Sequence, residues 1–504
     1  MPEFSDNEFL QLRDGVTLRS VGVSGEVDDP IVPASGGDPT RSDNPVFTES
    51  LASSGIPDDA AARLRRALDA AGFEHASTLP LPRLDARPGA PLDVTRGDDD
   101  VPRLELTVDG PDEGQAQVAL ETDHTGVLRW HFAETPESVL STTRANRVQT
   151  FVIPVEAVEV DAGPADERGW VSFGAKKVIH FLRFPLRAVA GRVATTMVAQ
   201  WESSHRPYQL RSAATPGELR SSPGLARGAT AFASHGPILL LVHGTFSTAK
   251  GGFAGLADDE QLMRELTQRY DGRILAFDHP TVSASPRANI EWLLGQLPPG
   301  PIEVDVVAHS RGGLVARNLL DSSISAAVGR DAPTVRSIVH VATPNQGTTL
   351  AESERIGSYL DVVTNLMTFL PDEPLTTALE LVIEVVKQVA IGMVDGLDGL
   401  AAMNPSNEGL AKLNEQSITS STMMRAIASD YEPGTDSLPL TALDALVDQV
   451  FRAANDLVVP TDGVARIAGH DHELFTVPGG NKVSHTRYFY DDDVRHRLAE
   501  WLPG

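Results

Sequence analysis

The sequence predicts an α/β fold, a doubly wound and mostly parallel sheet with a helical insertion, preceded by a small β-rich N-terminal module. Three observations predict it. An unbroken apolar run, PILLLV at 237–242, has the composition of a parallel strand covered on both faces, and RILAFD at 273–278 and IEVDVVA at 302–308 repeat it more loosely. Helical stretches separate the three, which is the alternation of a doubly wound sheet. Between about 101 and 160 the apolar period is two instead: Leu104, Leu106 and Val108, then Val118 and Leu120, then Leu128, Trp130 and Phe132 alternate with polar residues, as antiparallel strands do.

Length and charge narrow the classes. With 504 residues, 41% of them hydrophobic, the chain is long enough for roughly two to four folded units. Asp and Glu number 69 against 42 Lys and Arg, a formal net charge of −27 that repels phosphate backbones and argues against a nucleic-acid partner. No cysteine is present, which excludes a disulfide framework, a thiolate metal site and a cysteine nucleophile. The opening MPEFSDNEFLQLRDG is acidic where a secretory signal would be positive, so a cytoplasmic location is expected. No stretch holds the roughly 18 consecutive apolar residues of a spanning helix: 178–201 is broken by Arg183, Arg187 and Arg192, and 381–394 by Glu384 and Lys387. The acidic runs 98–100 and 491–493 read as a solvated turn and a helix cap, and neither a metal nor a cofactor is expected.

Residues 1–56, rich in Ser, Gly, Pro and Asp, read as a mobile leader. Pro57-Asp58-Asp59 opens a helix with Leu64 and Leu68 on one face and Gly72 to end it. That helix and the antiparallel module occupy 57–172, with turns at Asp109-Gly110-Pro111 and 123–126 and a further strand in FVIPVEAVEV. The segment 173–235 reads as a connector: KKVIHFLRFPLRAVAGRVATTMVAQWE has apolar and basic residues at helical spacing, and 211–234 has the composition of a linker. The second domain is expected over 236–504.

The strand ending at Ala308 runs directly into His309-Ser310-Arg311-Gly312-Gly313 and then LVARNLL, which has the apolar spacing of a helix. A strand, a tight turn with serine at its apex and an immediate helix make a nucleophile elbow, whose small flanking residues let the backbone turn sharply. A serine hydroxyl needs a neutral imidazole to take its proton and an acid to fix the ring. Among the later histidines, His340 falls within a strand and His496 on the solvated face of the last helix. His485 stands in the loop between the last strand and that helix, where a base belongs, with His470 and His472 as alternatives. Asp456, in the short turn NDLVVP, is the leading acid, and Asp430, at the end of the strand 424–429, is its rival. The backbone N–H groups of Thr245, just after His243-Gly244, and of Arg311 are placed to hold a developing oxyanion. His243, Phe246 and His309 flank these groups and are candidate substrate contacts, although bracing the loop is the simpler role for His243.

Four stretches, ILLLVHGTFS, VAHSRGGLVAR, HVATPNQGTTLA and NDLVVP with the later VSHTRYFYDD, stand in the order found in the lipase/esterase branch of the α/β-hydrolases. Residues 236–504 resemble that branch, which includes bacterial triacylglycerol lipases and the GPI-inositol deacylase-like hydrolases; Ala308 stands where the elbow pattern has a glycine. The resemblance implies the α/β-hydrolase fold and a cofactor-free serine hydrolase of carboxylic esters. Its triad would be Ser310, Asp456 and His485, and its oxyanion donors Thr245 and Arg311. The first half of the chain carries no such resemblance.

Between about 350 and 414 the chain inserts a mostly helical segment in which Glu380, Glu384, Lys387 and Gln388 share one stripe and nearly everything else is apolar. So much apolar surface needs a cover, either as a cap over Ser310 lining an acyl pocket or as an added helical pair in the core. A cap implies a hydrophobic acyl group on a small-molecule or lipid ester. The alternatives are an amidase or peptidase using the same triad and a non-catalytic scaffold or binding protein on a relic hydrolase fold. The N-terminal half, more than a minimal esterase requires, offers a surface for a protein partner.

Overall fold

The computed structural model describes residues 2–13, 15–32, 45–86, 101–134, 148–155, 176–186, 197–221, 235–369, 376–394, 396–416, 421–433, 438–467, 470–478 and 483–503. Seven strands build the C-terminal sheet: β1 (Gln209–Ser212), β2 (Ile238–Val242), β3 (Ile274–Asp278), β4 (Glu303–His309), β5 (Thr334–Val341), β6 (Met423–Ala428) and β7 (Glu473–Thr476). Their order is β1-β3-β2-β4-β5-β6-β7, with β1 antiparallel to β3 and the other neighbours parallel. This is the α/β-hydrolase fold.

Successive side chains of a strand point to opposite faces, so a sheet covered twice needs two apolar sets. Leu239, Leu241, Ala276, Val307 and Val339 pack on one side with Leu266 of helix Glu260–Arg269 and Leu498 of helix Asp492–Trp501. Leu240, Val242, Phe277, Val306 and Ile338 pack on the other with Leu293 of helix Pro286–Gln296 and Val315 of helix Gly312–Arg317. The chain leaves β2 for β3 on one side and returns to β4 on the other, so the C-terminal ends of adjacent β2 and β4 open a crevice at the switch point, where α/β sheets bind ligands.

The N-terminal part contains two four-stranded antiparallel sheets. One runs Val148–Pro154, Arg103–Asp109, Thr17–Val21, Phe9–Gln11; the other runs Glu74–Leu81, Lys177–Pro185, Gln115–Asp123, Leu128–His131. They share a core of Leu18, Leu81, Leu104, Leu106, Phe151, Ile179 and Phe181. The second sheet is covered on its other face as well: Val118, Leu120, Trp130 and Phe184 join one apolar cluster with Leu64 of helix Asp58–Ala70, Leu366 of helix Ile356–Phe369 and Val382 of helix Thr376–Ala390. The insertion between β5 and β6 is therefore gripped by the N-terminal sheet.

Three sequence expectations are corrected here. Residues 3–26 are not a mobile leader: Thr17–Val21 pairs with Arg103–Asp109, and Glu3–Phe4 and Val23–Glu26 pair with each other. Their partners lie far along the chain or beyond a turn, which local composition conceals; residues 33–44 lie outside the described set. The expected connector helix begins instead as the strand Lys177–Pro185, paired on both edges and buried on both faces, so its apolar run had mimicked helical spacing; only Met197–His205 is helical, and 187–196 is outside the described set. The expected linker opens with β1 and a short helix, Pro216–Arg220, started by a Thr215–Glu218 capping box, so the sheet begins well before residue 236; 222–234 lies outside the described set. Asp491 does cap the last helix, accepting from Val494 N–H at 3.1 Å, while 98–100 lies outside the described residues.

Leu18 is fully buried opposite Leu106. Leu18→Ala is expected to cost about 2–5 kcal/mol, a lower urea midpoint, whereas a midpoint equal to the wild type's would return the segment to the status of a leader.

Candidate active site

The site is built where β4 turns into helix Gly312–Arg317. Ser310 has φ 53°, a left-handed conformation that costs an ordinary residue free energy and aims its side chain out of the turn. Its N–H is held by the Val341 carbonyl of β5 at 2.8 Å. Two glycines let β2 and β4 close on each other. A Cβ on Gly244 would lie 2.5 Å from Ser310 Cβ, and one on Gly312 would run into the Val242 carbonyl. Ala308 is fully buried within β4, where its small side chain suffices.

Ser310, His485 and Asp456 are brought together. Ser310 Oγ lies 2.8 Å from His485 Nε2, and His485 Nδ1 lies 2.9 Å from Asp456 Oδ2. A carboxylate only accepts, so Nδ1 carries the ring proton and Nε2 is left to accept from the Ser310 hydroxyl. Asp456 is otherwise satisfied: Oδ1 accepts from Val458 N–H at 3.1 Å and Val459 N–H at 2.8 Å, and Oδ2 from the Tyr488 hydroxyl at 3.0 Å. Burial alone would raise this carboxyl's pKa; the facing His485 and the hydrogen bonds from His485, Val459 and Val458 outweigh it and hold the pKa below the ordinary value.

The rivals stand elsewhere. Asp430 accepts from Asn455 N–H at 3.3 Å and so braces the turn that carries Asp456. His470 and His472 belong to the hairpin before β7, with His472 N–H donating to the Ala465 carbonyl at 3.0 Å. His340 is buried within β5, and His496 Nδ1 donates along its own helix to the Asp492 carbonyl at 3.1 Å.

The turn after β2 sets Thr245 against Ser310. Its hydroxyl contacts Met403 Sδ at 3.6 Å and hydrogen-bonds Tyr359, a residue of helix Ile356–Phe369. Phe246, at φ 55°, donates its N–H to Thr281 Oγ1 at 3.2 Å; that hydroxyl donates to Glu202 Oε1 at 3.2 Å. Glu202 is fully buried and also accepts from the N–H groups of Thr281, Val282 and Ser283 at 2.6, 3.0 and 2.8 Å, so one carboxylate clamps the loop after β3. The Arg311 side chain is fully buried too, bonding the Gly399 carbonyl at 2.9 Å, Asn289 Oδ1 at 3.0 Å and the Ala284 carbonyl. Sequence reasoning found none of Glu202, Tyr359 and Tyr488, whose partners are joined to them only by the fold.

Phe246 and His309 line a cavity with Ser310; His243 is not part of that lining and is buried, which leaves the loop-bracing role and not the substrate contact. His243 Nδ1 donates to the Gly244 carbonyl at 3.0 Å and Nε2 accepts from His279 N–H at 3.3 Å. His309 Nε2 donates to the His485 carbonyl at 2.8 Å, which fixes the backbone of the histidine facing Ser310. The cavity measures about 730 Å³ including the solvent-open space at its mouth. Tyr359, Val363, Leu366, Met367, Ala378 and Val458 give it an apolar wall, and Ser247, Thr486 and Tyr490 lie on its polar part. Among the described residues, no group of three or more His, Asp or Glu side chains is arranged to hold a metal ion, and no helix is long and apolar enough to cross a membrane.

Residues 205–503 match the model of a family described as "Domain of unknown function (DUF7379)". No curated protein matches the sequence. Among solved structures, lipase BlEst2 of Bacillus licheniformis is similar at 12% identity, over 58% of this chain and 96% of that one, with a TM-score of 0.29. Lipase 1 from Pelosinus fermentans is similar at 16% identity, over 53% and 98%, with a TM-score of 0.36. Phospholipase PlaB from Legionella pneumophila follows at 13% identity, over 53% and 62%, with a TM-score of 0.33. At that level of similarity the chemistry has to be read from the site itself.

Burial holds His243 at a pKa of about 4, and burial followed by the charge of His485 holds His309 at about 3, against an ordinary 6.5. An unfolded chain binds these protons below 6.5 while the folded one refuses them, so their stabilising contribution is whole above 6.5 and is lost as the pH falls toward 4 and 3. The urea midpoint is expected to fall between about pH 7 and about pH 5, with the half-buried His75 and the buried His180, His279 and His340 acting in the same direction and Asp444, whose carboxyl burial raises to about 8, opposing them; a midpoint that rose as the pH fell would contradict neutral burial of the histidine rings.

Proposed function

Because the chain belongs to the DUF7379 family, whose description names no activity, we propose from the site alone that it is a serine hydrolase of carboxylic esters with a hydrophobic acyl group. One observation carries the proposal: the hydrogen-bonded chain from Ser310 Oγ through His485 to Asp456, at 2.8 and 2.9 Å, opening on a cavity with an apolar wall.

In the proposed reaction Ser310 Oγ attacks the ester carbonyl while His485 Nε2 takes its proton, and Asp456 steadies the imidazolium that forms. The carbonyl oxygen becomes an oxyanion held by the N–H groups of Thr245 and Arg311, whose fixed positions cost no reorganisation during the reaction. Collapse of this intermediate breaks the bond to the alcohol oxygen, which leaves with the proton from His485. Water then attacks the acyl-serine with His485 again as base, releasing the acid and restoring Ser310. Tyr359, Val363, Leu366 and Met367 would receive the acyl chain, because burying apolar carbon there gains about 0.8 kcal/mol per methylene. The insertion thereby serves as a cap, and the polar part of the cavity faces the alcohol.

The test is covalent labelling by a fluorophosphonate together with hydrolysis of p-nitrophenyl esters. Labelling is expected in the wild type and not in Ser310→Ala, at an unchanged melting temperature; equal labelling of both would refute Ser310 as nucleophile. Asp456→Asn is expected to lower kcat by roughly 10²- to 10⁴-fold, since the ring then loses its fixed tautomer. Asp430→Asn, which only loosens the turn below, should lower it far less, and the reverse ranking would make Asp430 the acid.

A further inference from the structure

Helix Ile356–Phe369 presents two different faces. Tyr359, Val363, Leu366 and Met367 line the cavity beside Ser310. A second stripe, Asp361, Thr364, Asn365 and Thr368, is hydrogen-bonded to the N-terminal module. Asp361 Oδ1 accepts from Trp130 N–H at 2.7 Å, and Thr364 Oγ1 accepts from Trp130 Nε1 at 2.9 Å. Asn365 accepts from Leu128 N–H at 2.9 Å and returns a bond to the Leu128 carbonyl at 2.7 Å. Arg63, on helix Asp58–Ala70, donates to the Thr368 carbonyl at 2.7 Å.

The strand that supplies most of these groups, Leu128–His131, is the edge of its sheet, paired with Gln115–Asp123 alone. An edge strand has a free row of N–H and C=O groups, and here both groups of Leu128 and the N–H of Trp130 are spent on a helix. Thr364 and Asn365 are fully buried, so moving the helix along or away from the strand would leave buried donors and acceptors without partners. An apolar contact would tolerate such a slip; a directional polar ladder does not.

We propose that the edge strand Leu128–His131 sets the shape of the acyl side of the cavity through this helix, so that Trp130, Thr364 and Asn365 are positioning residues for acyl-chain specificity. The proposal rests on the reading of Ser310 as the acylated nucleophile. It makes the N-terminal module part of the specificity apparatus: its edge strand holds one face of a helix whose other face meets the acyl chain.

Thr364→Val deletes the Nε1–Oγ1 bond with little change of shape, Trp130→Phe deletes the same bond and also opens a void in the core, and Asn365→Leu deletes both bonds to Leu128. Initial rates on p-nitrophenyl esters from acetate to laurate test the effect. The acetate ester, too short to reach the helix, should be hydrolysed within about twofold of wild type, while kcat/KM for the preferred longer ester should fall roughly five- to tenfold, mainly through KM. The double variant of Trp130 and Thr364 should be no worse than Trp130→Phe alone, because the bond that Thr364→Val removes is already gone there. A fall by one common factor at every chain length, or a profile identical to wild type in Thr364→Val and Asn365→Leu alike, would overturn the proposal. In either case fluorophosphonate labelling of wild-type Ser310 stands as before. Absence of that labelling would overturn the nucleophile and this proposal together.

Discussion

A carboxylate taken out of water must have its lone pairs filled, and the arrangement around Ser310 depends on how this is done for Asp456. Four donors meet its two oxygens: two backbone N–H groups of its own turn, the Tyr488 hydroxyl and the His485 ring. The turn is in turn held by Asn455, whose side-chain oxygen accepts from Leu457 N–H at 2.9 Å and whose amide nitrogen donates to Asp448 at 2.8 Å. Leu457 takes φ 80° to close it. Removing any one of these would leave a buried charge short of a partner, which costs more than an ordinary hydrogen bond gains. The orientation of the Asp456 carboxylate, and with it the tautomer of His485, therefore follows from the turn NDLVVP together with Tyr488.

The same accounting links the two halves of the molecule. Where the helix is buried on both sides, Thr364 and Asn365 have no solvent and must be answered from the neighbouring module, and the edge strand Leu128–His131 answers them, with the half-buried Asp361 adding a further bond. The apolar residues of the insertion join Val118, Leu120 and Trp130 in one core. Neither surface would be stable against water alone, which gives a physical reason for an N-terminal half that the chemistry at Ser310 does not itself require.

What the sequence disclosed and what it hid divide along the range of the contacts. The parallel strands β2 and β4, the turn at Ser310 and the loop positions of His485 and Asp456 were legible because each is specified locally: a covered strand is a continuous apolar run, and an elbow is a strand, a serine between small residues and a helix. The strands Thr17–Val21 and Lys177–Pro185 were not. The first has its partner in Arg103–Asp109, far along the chain, and the second is buried on both faces, which erases the alternation that marks a strand. Glu202 escaped for a related reason: it lies in a helix of modest length, and its partners, Thr281 to Ser283, are joined to it only by the fold. Asp430 was a fair rival to Asp456 because its strand-end position is equally suited to an acid; the turn geometry brings Asp456, and not Asp430, to the His485 ring.

Oxyanion stabilisation is effective only if the donors are fixed before charge develops, and the two proposed donors here are fixed by separate buried networks that meet in one loop. Thr245 precedes Phe246, whose N–H is tied through Thr281 to the carboxylate of Glu202. Arg311 is tied by its guanidinium to the Ala284 carbonyl and to Asn289, on the same excursion of chain after β3, and to Gly399 of the insertion. A lysine could not replace that arginine, because a single ammonium cannot span three acceptors lying in different directions as a planar fork does. In the proposed reaction Arg311 would contribute through its backbone, while its side chain supplies the rigidity that would make that backbone useful. The loop after β3, which holds none of Ser310, His485 and Asp456, is thereby the common anchor of both proposed donors.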